Sequence, residues 1–252
     1  MAAHEKILVF DLGSQYTQLI ARRIREHKVF CEIVRHDLPA DEVARQAPKG
    51  IVLSGGPASV YEHTSPRVDP KVFDLGVPVL GICYGLQLMA ETTGGKVGAA
   101  HAREYGSTRC TVDPESPLFR GVPKDTVVWN SHGDLVTGLE GSFVSIAKTS
   151  STPFAAVAHK SRPLYGIQFH PEVVHSKHGK QVLENFVKAI CGCAGDWTMG
   201  SFVDEAVEAI RKQVGDRGRV VCGLSGGVDS AVVALLLDRA LGERLTCIFV
   251  DN

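Results

Sequence analysis

Short apolar runs alternate with amphipathic helical stretches along most of this chain, and that alternation constrains the fold more than any other feature. Ile7 to Phe10 precedes a helical pattern from about Tyr16 to Glu26. Phe30 to Val34 precedes a short helix from Asp41, Ile51 to Ser54 follows, and Val77 to Gly81 leads straight into another helix. Strands interleaved with helices build a parallel sheet buried on both faces. The expectation is therefore α/β, a mostly parallel open sheet with helices on both faces. From about Gly106 to Ile167 the pattern turns β-rich. Thr126 to Trp129, Phe143 to Ala147, Phe154 to Ala158 and Leu164 to Gln168 are expected to form the antiparallel edge of a mixed sheet. Val182, Leu183, Phe186, Val187 and Ile190 then recur at helical spacing and stop before Gly192.

Small residues from Cys191 to Ser201 read as a connection, after which the alternation restarts. A helix carries Val203, Val207, Ile210 and Val214 on one face. The strand Val220 to Cys222, a glycine loop, a helix from about Asp229 to Leu241 and the strand Leu245 to Val250 follow. The expected organisation is one domain over residues 1–194, followed by residues 195–252 as the first βαβ part of a second α/β domain, incomplete. A parallel pair buries its faces only when further strands and helices join it. The 252 residues are accordingly expected to be a truncated form.

Lys plus Arg is 27 and Asp plus Glu is 28, a formal net charge of −1, so no excess of either sign is present to hold nucleic acid or an anionic membrane. The longest apolar runs, such as Ala231 to Leu237, fall far short of a membrane span, and the N-terminus lacks the apolar core of a signal peptide. The seven cysteines show neither disulfide-framework nor zinc-knuckle spacing, and a reducing cytoplasm is expected. No resident metal site is expected.

Three segments carry chemistry. In Gly81-Ile82-Cys83-Tyr84-Gly85 a strand ends on a cysteine with glycine two residues away on each side, and a helix begins at once. This is a nucleophile elbow with cysteine in place of serine, where the helix N-terminus favours thiolate. In Phe169-His170-Pro171-Glu172 the residues His170 and Glu172 lie on one side of an extended segment, so the carboxylate can orient the imidazole. Ser54-Gly55-Gly56-Pro57 follows a strand, and its backbone amides are suited to an oxyanion. Together they describe cysteine-dependent acyl transfer with release of an amine.

GICYGLQ, SGGP and QFHPE, in this order and spacing, resemble the class I glutamine amidotransferases. The resemblance covers about residues 5 to 192. It implies Cys83 as nucleophile, His170 as base and then acid, and Glu172 as its orienter. Gly55, Gly56 and Tyr84 would serve the oxyanion, and Gln87 with the Ser131-His132-Gly133-Asp134 loop would lie near glutamine, Asp134 included.

The strand Val220 to Gly223 runs into Leu224-Ser225-Gly226-Gly227-Val228-Asp229-Ser230 and a helix. Strand, glycine loop and helix N-terminus make an anion site, but the GK[ST] ending of a Walker A loop is missing. SGGVDS resembles the pyrophosphate loop of ATP pyrophosphatases. That implies Ser225, Gly226, Gly227, Val228, Asp229 and Ser230 as ATP contacts and Asp229 as a magnesium contact. The combination with FDLGSQY, SGGPASVY and FVDN resembles the bacterial, glutamine-hydrolysing GMP synthetase family. The resemblance implies that glutamine, ATP and XMP are substrates, that Mg2+ accompanies ATP, and that the full-length protein is a homodimer. Two other readings stay open: a non-catalytic scaffold or regulatory module of the same fold, and a cysteine hydrolase of another γ-glutamyl amide. Purified residues 1–252 are expected to release glutamate from glutamine and to form no GMP from XMP, ATP and ammonia, a pair of assays that separates the first domain's chemistry from the whole reaction.

Overall fold

The computed structural model describes residues 5–139 and 141–249. Strand β1 (Lys6–Asp11), helix α1 (Thr17–Glu26), strand β2 (Phe30–Arg35), helix α2 (Ala40–Gln46), strand β3 (Gly50–Leu53), strand β4 (Val79–Ile82) and helix α3 (Tyr84–Thr92) follow one another as the alternation predicts. Strands β5 (Lys96–Val112), β6 (Asp125–Gly138), β7 (Phe143–Lys148), β8 (Ala156–His159) and β9 (Leu164–Ile167) come next. Helix α4 (Gly179–Glu184) continues as a wider turn over Asn185–Ile190. The nine strands form one sheet in the order β2-β1-β3-β4-β9-β8-β7-β5-β6. The pairs from β2 through to β9 are parallel and those from β9 to β6 antiparallel.

The parallel strands are buried on both faces because their sequences are apolar without interruption. Alternate residues of β1 divide between two cores: Ile7 and Val9 pack with Ile20 and Ile24 of α1 and Leu183 of α4, while Leu8 and Phe10 pack with Val43 of α2 and Leu86 of α3. On α1 the buried residues Thr17, Ile20, Ala21 and Ile24 form one stripe at helical spacing.

Two expectations need correction. Leu164 to Gln168 does not belong to the antiparallel edge alone: β9 pairs parallel with β4 and antiparallel with β8, so it is the seam of the mixed sheet. Ser131 to Asp134 is not a loop; it lies within β6, which runs on through the polar stretch because β5 pairs with it from Lys96 to Thr111. The first half of β5 carries no sequence signal, because KVGAAHAREYG lacks strand alternation. Of the FVDN motif, residues 250–252 lie outside the described residues.

A second compact unit begins at Trp197, the first running to Asp196. It comprises α5 (Met199–Val214), β10 (Val220–Leu224), α6 (Val228–Leu241) and β11 (Leu245–Phe249), with β10 and β11 paired in parallel. Its core is small: Val207, Ala240 and Leu241 are buried, with Ile210, Val214, Val220 and Leu237 packed against them. Val221, Leu235, Ile248 and Phe249 stay exposed.

Leu80 sits at the centre of the nine-stranded sheet with no solvent exposure. Leu80→Ala is expected to lower the unfolding free energy by about 2–5 kcal/mol, read from the urea midpoint.

Candidate active site

Strands β1, β3, β4 and β9 are neighbours in the parallel half, so their carboxyl ends open on one edge, where ligands of open α/β sheets bind. The segments leaving those ends carry Leu12 to Tyr16, Ser54 to Pro57, Cys83, and Gln168 to Glu172. They meet at a cavity of about 780 Å³ whose wall includes Tyr16, Gly56, Cys83, Gln87, Asp134 and His170.

Cys83 stands between β4 and α3 with φ 51° and ψ −105°, a conformation that costs a non-glycine residue strain. The flanking glycines make it attainable. A Cβ on Gly81 would fall 2.6 Å from the carbonyl oxygen of Gly85, and one on Gly85 would fall 2.5 Å from the carbonyl oxygen of Leu53. Cys83 caps α3 with no side-chain hydrogen bond to the first turn, so the helix presents unpaired amides and the positive end of its dipole beside the sulfur.

His170 follows β9. Its backbone N–H donates to the Trp129 carbonyl at 3.0 Å, and the hydroxyl of Ser176 donates to the His170 carbonyl at 2.6 Å. The same Ser176 oxygen accepts from the Trp129 N–H at 3.0 Å, so the histidine is clamped to β6. Nδ1 of His170 lies 2.7 Å from Oε1 of Glu172, whose side chain has no solvent exposure. This pairing leaves Nε2 free of the carboxylate, and the ring lies beside Cys83 on the same cavity wall: a Cβ on Gly55 would meet both His170 Cε1, at 3.1 Å, and Cys83 Cβ, at 3.7 Å. Burial pulls the imidazolium down, but the bonds to Cys83 and Glu172 and their negative charge outweigh it and raise its pKa to about 10. The ring edge also meets Tyr16, with centroids 5.4 Å apart.

The glycine loop lies against this dyad. A Cβ on Gly55 would come within 3.1 Å of His170 Cε1, and one on Gly56 within 2.4 Å of the Leu12 carbonyl oxygen. Tyr84 is buried, its hydroxyl donating to the Pro66 carbonyl at 2.8 Å, so its contribution to the cavity is the backbone at the helix start. The Gln87 amide donates to the Asp134 backbone carbonyl at 2.8 Å, joining α3 to β6 at the cavity wall. His132, buried on β6, places Nε2 3.2 Å from Oε2 of Glu104.

Sequence reasoning brings Cys83, His170, Glu172, Gly55, Gly56, Tyr84, Gln87 and Asp134 into one neighbourhood, and the structure places them there. It misses the roles of Ser176 and Glu104 because Trp129, which Ser176 joins to His170, and His132, which Glu104 meets, come close only once the strands pair. Burial pushes the thiols of Cys31 and Cys193 up to about 11 and that of Cys110 up to about 12, so these are inert core residues.

In the second unit Gly226 has φ 76° and Gly227 precedes the first turn of α6. Ser230 Oγ accepts from the Ser225 N–H at 3.2 Å and donates to the Gly227 carbonyl at 3.0 Å, closing the loop over the helix start. Asp229 is in that first turn and Val228, the first helical residue, is exposed. Among the described residues no group of three or more His, Cys, Asp or Glu could hold a metal. Asp229 is thus a single carboxylate beside a glycine turn at a helix start, a donor set too small for a resident cation and compatible only with one that arrives with other oxygen ligands.

The family model of class-I glutamine amidotransferases matches residues 8–190. The chain belongs to the class-I glutamine amidotransferase family. The NAD synthase family model matches residues 202–250. The amidotransferase is 53% identical to the GMP synthase [glutamine-hydrolyzing] of Heliobacterium modesticaldum over 249 residues, 99% of this chain and 48% of that protein. It is 54% identical to that of Staphylococcus carnosus over 248 residues, 98% of this chain and 48% of the relative. The chain thus spans about half the length of the curated relatives it matches. A candidate GMP synthase component of Thermoplasma acidophilum is 34% identical, with a TM-score of 0.69 over 75% of this chain and 94% of that one. A glutamine amidotransferase of Thermotoga maritima shares the fold at 17% identity, TM-score 0.58, over 75% of this chain and 98% of that one.

Because the folded state raises the pKa of His170, its stabilising contribution is complete below the unfolded-state value of about 6.5 and is lost as pH climbs through about 10. Thermal melts of the wild type against His170→Asn are expected to converge steadily between pH 7 and 10. A melting difference constant across that range would refute the ion-pair assignment. Gly85→Ala is expected to lose the elbow geometry through contact with Leu53, with a drop in stability of about 1–3 kcal/mol in a urea titration.

Proposed function

We propose that this amidotransferase hydrolyses glutamine at Cys83 and that the ammonia serves the amination of XMP in an ATP-dependent synthesis of GMP. The observation that carries the first half is the elbow cysteine on one cavity wall with an imidazole that Glu172 holds at 2.7 Å. The observation behind the second half is the identity to GMP synthases, which continues through the SGGVDS loop.

In this reading the resting site is a thiolate–imidazolium pair. The sulfur attacks the glutamine carboxamide carbon, and negative charge develops on its oxygen, where the backbone amides of Gly56 and Tyr84 receive it. His170 gives its Nε2 proton to the departing nitrogen, so ammonia leaves and a γ-glutamyl thioester remains. The neutral imidazole then takes a proton from water, hydroxide adds to the thioester, and glutamate is released with the thiolate restored. Glu172 keeps the ring oriented through both transfers. Gln87 and Asp134 shape the wall against which glutamine lies, a role consistent with their shared hydrogen bond.

Ser225, Gly226, Gly227, Val228, Asp229 and Ser230 would cradle the pyrophosphate end of ATP. XMP would be activated by adenylation, and attack by ammonia would yield GMP, AMP and pyrophosphate. When bound with ATP, Mg2+ would offset the phosphate charge, and Asp229 is the loop carboxylate able to face it. Homodimer formation and a cytoplasmic location complete the proposal. Seven free thiols favour a reducing compartment, and among the described residues no helix is long and apolar enough to cross a membrane.

Glutamate release from glutamine tests the first half. Cys83→Ala is expected to abolish it, and Glu172→Gln to reduce kcat by roughly 10²–10⁴-fold with KM little changed. Equal rates in wild type and Cys83→Ala would remove the nucleophile assignment.

A further inference from the structure

We propose that Gln168 is a further catalytic residue: its side-chain amide donates to the Cys83 sulfur from inside the protein and holds it as the thiolate. This rests on Cys83 being the nucleophile. Three polar groups address the sulfur. The Ser131 carbonyl oxygen lies 3.8 Å from Sγ and accepts from S–H, which favours the protonated thiol. The Gln168 Nε2 lies 3.7 Å from Sγ and can only donate, which favours the anion. The third is the His170 imidazole on the same cavity wall, the base that would receive the proton when the sulfur gives it up.

The placement follows from the backbone. Gln168 and His170 stand two residues apart on the bend that follows β9, and both side chains reach the elbow: Gln168 Nε2 meets the sulfur, and a Cβ on Gly55 would meet both His170 and Cys83. Gln168 is 1% exposed and is not part of the cavity wall, whereas Cys83 and His170 are. The amide therefore approaches the sulfur from behind and leaves its cavity side to glutamine. The energetics point the same way. Gln168 Oε1 is buried with no hydrogen-bond partner, a cost that an apolar side chain of equal volume would not incur. An N–H···S contact to a neutral thiol is too weak to offset that cost, while one to a thiolate is charge-assisted. The proton balance is complete: S–H breaks, Nε2–H forms on His170, and nothing is oxidised or lost. The titratable groups around the pair are Glu172 on the far side of the imidazole, the Glu104–His132 pair beside it, Tyr16 against the ring, and Glu62, Tyr105 and Asp134 on the cavity wall.

Alkylation by iodoacetamide reads the thiolate without glutamine. The chain carrying Gln168→Met, of equal length and without a donor, is compared with the wild type from pH 6 to 10, with each cysteine followed by peptide mass spectrometry. Exposed Cys247 serves as the internal reference. The expected result is a Cys83 rate about tenfold lower at pH 7, converging with the wild type at pH 10, with Cys247 unchanged. A rate at pH 7 equal to or faster than the wild type overturns the proposal; the faster rate is what an amide turned to accept S–H would produce. If circular dichroism shows that the methionine variant is unfolded, Gln168→Asn, which keeps an amide but withdraws it, is judged by the same two outcomes. A chain that releases no glutamate yet shows the Gln168-dependent alkylation loses the glutaminase reading alone. One that releases glutamate with Gln168-independent alkylation loses this proposal alone.

Discussion

The parallel pairing of β4 with β9 sets the distance between sulfur and imidazole, and the rest of the site is arranged around it. The register runs from Val79 opposite Leu164 to Ile82 opposite Ile167, and the Cys83 N–H then donates to the Ile167 carbonyl at 2.8 Å. At Cys83 the chain turns sharply into α3, while β9 ends at Ile167 and bends through Gln168 and Phe169 to His170. A slip of one residue in this pair would send Gln168 and His170 to the opposite face. The slip is prevented because both strands are apolar and buried, and because Leu164 and Ile167 pack in different cores above and below the sheet. Burial of about nine strands' worth of apolar surface is thus converted into the placement of one thiol.

The charges at the site are held against their own preference for water. Glu172 is fully buried, and one of its two carboxylate oxygens has no hydrogen-bond partner. Removing the imidazole would leave that anion uncompensated, a change that costs about 3–5 kcal/mol at buried pairs. The pair is tolerated because His170 carries positive charge and because its backbone is fastened at the N–H and the carbonyl by Trp129 and Ser176. Electrostatics and backbone clamping are therefore one device: neither would orient Nε2 toward the sulfur alone. Arg23 adds a bond from Nε to the Glu172 carbonyl at 3.0 Å and ties α1 to the same turn.

The parallel half of the sheet was legible because its signal is local: uninterrupted apolar strands, helices at 3.6 spacing, glycines at turns. Cys83, His170 and Glu172 were legible for the same reason, each standing in a short motif whose backbone geometry explains its residue types. The antiparallel half was harder to read. The start of β5 is polar and glycine-containing, and its strand character comes from pairing with β6, a non-local fact. Ser131 to Asp134 looked like a loop because Ser, Gly and Asp are turn formers, and pairing with β5 overrode that propensity. Ser176 offered no sign of its role, since a serine hydroxyl that bridges residues 129 and 170 is visible only once β6 and β9 are folded.

The two units share one structural element. Each presents the N-terminus of a helix directly after a parallel strand, with a glycine-assisted turn between them. At Cys83 the turn's positive φ is borne by the cysteine itself and the glycines make room on either side, so the element offers a side chain and backbone amides together. In the second unit the positive φ falls on Gly226, and the serines of the loop tie it to the helix, so the element offers backbone and hydroxyls with no nucleophile. A net charge of −1 is no obstacle to an anion at either turn, because a helix N-terminus attracts through aligned peptide dipoles and unpaired amides at one spot and needs no basic surface. What distinguishes the two turns is which residue takes the position of positive φ, a side chain bearing a thiol in the first and a glycine in the second.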